Sequence, residues 1–322
     1  MSHLHGRSHT FAALFSTMAL AVAAMWIAPS TVSAQDVRRP VVGEHTFLEH
    51  ALFPGPFVQT SLRTKLGVGH ALDISGLPLV EIDTLEFGGQ RGDLYFALLS
   101  LGYGQKITEW FQLGAQVGLT GRLGDGVNTI LAQGATMNFA LDLGAKFRLY
   151  QGKTTYVSAG VSLNRDNVTV IDFRSWVEGL LEDEEVPLVT KRPSTRLGLN
   201  AYGAWAPVHW LGLQAHAKYS RGENLEIEQE KEWYSTLGLS ADFDLLSVSS
   251  IPIGFALGGR RDTFPRAIND LAEAIYGVLF RIAYTGRSDF VVALDSTADW
   301  IPLKDGESLE AGTVQFSTRY YF

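Results

Sequence analysis

Phe111-Gln-Leu-Gly-Ala-Gln-Val-Gly-Leu-Thr-Gly-Arg122 decides how this chain is read. In an extended strand, successive side chains point to opposite faces. Phe111, Leu113, Ala115, Val117 and Leu119 then share one face, and Gln112, Gly114, Gln116, Gly118, Thr120 and Arg122 share the other. The pattern returns in 138–150, where Phe139, Leu141, Leu143, Ala145, Phe147 and Leu149 oppose Asp142, Lys146 and Arg148. It returns again in 155–163, 197–205, 211–219 and 237–245, and in the last residues, where Val314, Phe316, Thr318, Tyr320 and Phe322 lie on one side. Blocks of this kind, repeated along a chain, are the mark of strands with hydrocarbon on one face and water on the other.

The links between blocks alternate in length. Short ones fall near 104–109, 151–153, 207–209, 248–250 and 286–288, and long polar ones at 74–89, 124–136, 170–193, 222–232, 262–273 and 298–311. Eleven links join twelve strands, expected near 57–69, 92–102, 110–122, 137–150, 154–168, 194–205, 210–221, 232–246, 251–261, 274–285, 288–297 and 312–322. The fold class is therefore all-β: a membrane-spanning antiparallel up-and-down β-barrel of about 12 strands. Short turns on one side and long loops on the other place both termini at the short-turn, periplasmic end. Helical spacing inside two long links predicts loop helices over 173–185 and 265–276.

Residues 1–34 read as an export signal. A polar start carrying Arg7 leads into the apolar run Phe11–Ala28, and Val32 and Ala34 precede a cut before Gln35. Residues 35–56 are expected as a periplasmic N-terminal segment, with the barrel occupying 57–322. The absence of cysteine excludes disulfides, thiolate metal sites and a Cys nucleophile. With charged residues at 19% and a mean hydropathy of +0.06, the chain is far too polar for a helical membrane protein. A formal net charge of −8 argues against nucleic-acid binding.

The C-terminal strand Thr313-Val-Gln-Phe-Ser-Thr-Arg-Tyr-Tyr-Phe322, alternating and ending in Phe, resembles the terminal strand of bacterial outer-membrane β-barrels. That resemblance implies residence in the outer membrane among its lipids and lipopolysaccharide. It also implies recognition of Tyr320 and Phe322 by the barrel-assembly machinery. Leu101-Gly-Tyr-Gly104 with Thr108, Phe111 and Leu113-Gly114 is similar, over a shorter stretch, to a hairpin of MetA-like and hydrophobic-compound transport barrels.

Some barrels of this class are enzymes. Outer-membrane phospholipase and lipid A deacylase place a His and a Ser two apart on one strand, so that both share a face. None of His45, His50, His70, His209 and His216 has Ser two residues on. His216 and Ser220 are four apart, about 13 Å along a strand and too far for proton transfer. Asp242 and Asp244 share a face but have no histidine beside them in sequence. The acidic runs at 182–185 and 223–230 read as solvated loop. No catalytic residue, cofactor or metal site is expected.

The lumen face carries the remaining signal. Inward positions hold Arg63, Lys65, Arg122, Lys146, Arg148, Arg196, Lys218, Arg260, Arg281 and Arg319 against Asp142, Asp242, Asp244 and Asp295, with Tyr156, Tyr202, Tyr234 and Tyr321 among them. Basic side chains lining a narrow pore attract anions. The sequence thus points to passive passage of small solutes with a mild anion preference, carried by Lys146, Arg148, Arg196, Lys218 and Arg281 with Tyr156 and Tyr202. A closed structural or adhesive barrel working through its outer loops is the alternative. A lipid-modifying enzyme is the third.

Overall fold

The computed structural model describes residues 39–74, 80–82, 85–87, 92–124, 135–171, 176, 179, 186–223, 231–263, 274–302 and 308–322. The expected signal (1–34), most of both expected loop helices and most of both acidic runs lie outside them. Residues Arg38–Phe322 belong to one compact unit.

Twelve antiparallel strands close into a barrel. They are β1 (Ser61–Ile74), β2 (Gly92–Thr108), β3 (Phe111–Gly124), β4 (Ala135–Gln151), β5 (Thr155–Ile171), β6 (Val189–Val208), β7 (Leu211–Glu223), β8 (Lys231–Asp244), β9 (Ile253–Thr263), β10 (Ala274–Tyr284), β11 (Phe290–Pro302) and β12 (Ser308–Tyr321). Each pairs with its predecessor, and β12 returns to β1 from Tyr321↔Ser61 to Ala311↔Ala71. Closure pairs every strand edge, the condition for a sheet to cross hydrocarbon. All five short connections gather at one end, with the start of β1 and the end of β12. The strands run past the expected boundaries on the loop side: β6 begins at Val189 and β11 reaches Pro302. The helix expected over 265–276 is corrected at its end, where Ala274, Ile275 and Tyr276 pair with Thr263, Asp262 and Arg261 in the β9–β10 ladder. Ile275 fits helical and alternating spacing alike, and the ladder satisfies its backbone.

The outer face is apolar and bare. Leu66, Val68, Leu197, Leu199 and Leu239 are all more than 60% exposed, which only lipid makes tolerable. Aromatic side chains frame this band. Tyr219 stacks on Trp233 (4.6 Å) towards the long-loop end, and Trp210 stacks on Phe243 (6.2 Å) near the short turns. From Trp233 to Phe243 along β8 is about 33 Å, or about 25 Å of height for a strand tilted by ~40°, which matches the hydrocarbon thickness such barrels span. Among the described residues no helix is long and apolar enough to cross a membrane. The crossing elements are strands.

The core is inside the cylinder. Residues 35–56 were expected in the periplasm, but the described part, from Arg39 onward, runs up into the lumen from the short-turn end and back down to β1. Phe47, Leu48, Leu52, Phe53 and Phe57 are buried there. The reason is apolar area: five large side chains left in water find a wall of small inward residues, including Ala204, Ala206, Ala283, Val291 and Ala293.

Candidate functional site: a plugged lumen

The luminal segment begins with a tight hairpin. Val41–Val42 pairs with His45–Thr46 across Gly43 and Glu44, whose φ values are 60° and 67°. Positive φ at both central residues defines the two-residue turn that suits a twisted hairpin, and Gly43 also has no room for a side chain, since a Cβ there would sit 3.0 Å from the Ala206 carbonyl oxygen. Beyond the hairpin Phe47 packs on Phe57 (5.1 Å), and Phe57 packs on Tyr156 (5.1 Å). Leu48 meets Ala283, Val291, Ala293 and Tyr321, and Leu52 and Phe53 meet Leu279.

Two sets of inward glycines explain where the segment lies. On β7, β8 and β9 they are sockets: a Cβ would fall 2.5 Å from the His45 ring at Gly212, 2.4 Å from Phe53 at Gly238 and 2.5 Å from Leu48 at Gly254. Across the barrel, on β2, β3 and β4, a Cβ at Gly102, Gly114 or Gly144 would meet nothing nearer than 3.5 Å. Those positions face space instead. A cavity of about 370 Å³ occupies it, between the segment and the wall built by β1–β7 and β12.

Polar contacts fix the segment from both sides. His45 places Nε2 2.6 Å from Asp242 Oδ1 and Nδ1 3.1 Å from the His209 carbonyl oxygen. Asp242 also accepts from the Leu48 amide (3.2 Å) and Gln214 Nε2 (3.0 Å). Arg39 donates to the Thr285 carbonyl (2.8 Å) and lies 3.6 Å from Asp244. His50 accepts from the Leu52 amide at Nδ1 (3.2 Å), so its proton is on Nε2 and is donated to Ser240 Oγ (2.7 Å). Burial lowers the pKa of His50 to about 3, helped by the charges of Arg281, Lys65 and Arg63. This His–Ser contact is wired as donor from the ring. A base that activates serine must accept from it, so the contact lacks the arrangement hydrolysis needs.

The basic side chains singled out from sequence separate into different tasks. Lys146 donates to the carbonyl oxygens of Gly55 and Phe57 (the latter at 3.4 Å) and lies over the Tyr202 ring at 4.8 Å. Tyr202 stacks on His216 (4.9 Å), and the Tyr156 hydroxyl accepts from the Val58 amide (3.1 Å). Lys218 donates to Asn164 (2.5 Å) beside Asp142. Arg196 pairs with Asp166 and covers the Tyr234 ring. Arg281 is buried against Asp295 (3.0 Å), which Ser317 also contacts (2.9 Å). Arg148 bonds Gln151 (2.6 Å) at the exposed short-turn rim. The cavity therefore gathers Lys146, Tyr202 and Lys218, but Arg148, Arg196, Arg281 and Tyr156 do not line it.

Among the described residues, sequence reasoning missed several inward acids and one plug acid. Asp166 pairs with Arg196, Asp262 and Asp299 with Arg260 (2.7 and 3.3 Å), and Glu49 with Arg319. The lumen is less basic as a whole than expected. Its excess is concentrated at the cavity, where Arg63, Lys65, Lys146, Lys218 and Arg319 face Glu49 and Asp142. Two further carbonyls of the segment are capped by wall bases: Ala51 by Lys65 (3.3 Å) and Leu52 by Arg260 (3.4 Å). Among the described residues no group of His, Asp or Glu is placed to hold a metal ion.

No protein-family model matches the chain, and no curated protein matches it. Among solved structures it is similar to a FadL homologue of Pseudomonas aeruginosa, with 11% identity over 84% of this chain and 93% of that one and a TM-score of 0.48. It is similar to the translocator domain of the autotransporter NalP from Neisseria meningitidis, at 12% identity, 83% and 89% coverage and a TM-score of 0.47. It is also similar to the porin NanC, at 8% identity, 80% and 100% coverage and a TM-score of 0.45. These likenesses concern barrel architecture alone. The closed strand ring, its lipid-facing band and its packed lumen define the class: a transmembrane β-barrel of the bacterial outer-membrane type, carrying its own N-terminal plug.

Proposed function

We propose that this protein is an outer-membrane channel that lets small solutes diffuse through the crescent between the plug and the β1–β7 wall, with a mild preference for anions. The observation that carries the reading is the cavity itself, left open where inward glycines thin the wall and lined by more bases than acids. The resemblance of the 101–114 hairpin to transport barrels supports the same direction. Attraction is electrostatic and requires no cofactor. Lys146 and Lys218 contribute at the cavity, whereas Arg148, Arg196 and Arg281 act through their partners. Tyr320 and Phe322, outward on β12 with their rings 5.2 Å apart, would serve as the terminal signal for the barrel-assembly machinery, with lipopolysaccharide and outer-membrane lipids against the apolar band.

The test is single-channel recording of the refolded full chain in a planar bilayer under a potassium chloride gradient. Discrete openings with a reversal potential displaced towards chloride are expected. Lys146→Glu should move that potential towards potassium. Protein shown to be folded by its heat-modifiable mobility, yet electrically silent, would instead mean a closed barrel working through its outer loops.

A further inference from the structure

Arg63 on β1 and Arg319 on β12 are direct partners across the seam that closes the barrel, and both point into the lumen. Lys65 stands two residues further along β1. Like charges placed opposite each other on neighbouring strands repel. Arg63 bonds Gln116, which is neutral, and among the described residues its buried Nε has no partner. Asp295 is committed to Arg281 and Ser317. The carboxylate that reaches Arg319 is Glu49, and Glu49 belongs to the plug. It is buried, folded against Gly55, where a Cβ would collide with its carboxylate, and its second contact is Gln59 Nε2 at 2.7 Å. Arg63, Lys65, Arg319 and Glu49 all line the 370 Å³ cavity.

We infer that the Arg63–Arg319 pair, with Lys65, is a binding site for small organic carboxylates, and that Glu49 occupies it as a tethered stand-in for the solute. A guanidinium fork matches a planar carboxylate in two-point geometry, and two forks facing one cavity can hold both oxygens. A solute carboxylate enters by exchange, taking Arg319 from Glu49 and engaging Arg63, while the plug carboxylate turns to the water of the cavity. No bond is made or broken covalently. The naming of the solute as a permeant rests on the channel reading above. The binding site does not.

Two measurements on the refolded full chain separate these. Isothermal titration of the folded protein in detergent with acetate and with benzoate reads the site directly. Removing the tethered competitor by Glu49→Gln should tighten carboxylate binding about tenfold or more, as expected when an intramolecular ligand of millimolar effective concentration is lost. Adding Arg63→Gln to that variant should abolish the gain. Chloride current with acetate added to one side reads the passage, and half-block should shift by the same factor in Glu49→Gln. Unchanged titration in Glu49→Gln overturns the inference, whatever the current does. A titration gain in a protein that passes no current keeps the site and removes the channel. An equal gain with inorganic phosphate overturns the carboxylate assignment in favour of a general anion site.

Discussion

Phe53 stands over Gly238 so closely that a Cβ on that glycine would lie 2.4 Å from the ring. The plug therefore depends on a missing side chain in the wall. Gly238→Leu should push the plug off its seat, because filling a packed contact costs about 1–3 kcal/mol. We predict larger single-channel conductance and new protease cleavage within 39–57, with the barrel still folded. Gly114→Ala is the control: its Cβ would meet nothing nearer than 3.6 Å, so stability should hold while the crescent narrows and conductance falls.

Asp242 gathers His45, the Leu48 amide and Gln214 in a site from which water is excluded. Asp242→Ala leaves all three without their acceptor. Leaving a buried hydrogen-bond donor without its partner costs about 1–3 kcal/mol. The expected result is a plug that exchanges amide hydrogens around Leu48 much faster, measured by mass spectrometry on the folded barrel. Unchanged protection would mean that the apolar packing alone holds the segment.

His50 links plug seating to pH. In the plug its pKa is about 3, held down by burial first and by Arg281, Lys65 and Arg63 second, with Ser240 accepting from the ring and Leu52 donating to it. A released His50 would titrate near 6.5. The seated state thus binds fewer protons between those values, so seating is favoured at neutral pH and weakens as pH falls below about 6.5. Conductance should rise on acidification from pH 7 to pH 5, and His50→Gln should flatten that rise.

Arg281 and Lys146 looked alike in sequence and should behave differently. Arg281→Met removes half of a buried pair with Asp295 and should lower the unfolding midpoint with no change in ion selectivity. Lys146→Met should change selectivity and lower stability by less, since its own partners are plug carbonyls and the Tyr202 ring.

The strand ring was legible because one side of each strand must satisfy lipid, so a single rule repeats along the chain. Phe111 to Leu119 and Phe139 to Leu149 needed no tertiary knowledge. The lumen obeys no such rule. Asp262 and Asp299 were missed because strand ends were drawn one and two residues short of them, and Asp166 because an acid inside a strand was not matched to Arg196. The plug was harder still. Phe47, Leu48, Leu52, Phe53 and Phe57 show no period of two or of 3.6, since an irregular segment packs wherever its side chains find room. The signal lay on the other partner: Gly212, Gly238 and Gly254 sit at inward positions where alternation alone asks only for a polar residue. A scarcity of side-chain volume on one wall announces an occupant, but which occupant is visible only in three dimensions.

The seam between β1 and β12 joins the two ends of the barrel sequence, and it is there that Arg63 meets Arg319. Strand pairing at that seam brings two cations together at the moment the ring shuts, and the carboxylate that relieves them arrives on the stretch of chain just before β1. A ring closed without its plug would hold this repulsion unrelieved, and a plug without the closed ring would have no Arg319 at the seam for Glu49 to meet. Assembly is then a latch: the final zipping of the cylinder and the seating of Glu49 reinforce each other, so half-assembled barrels gain little until both have happened.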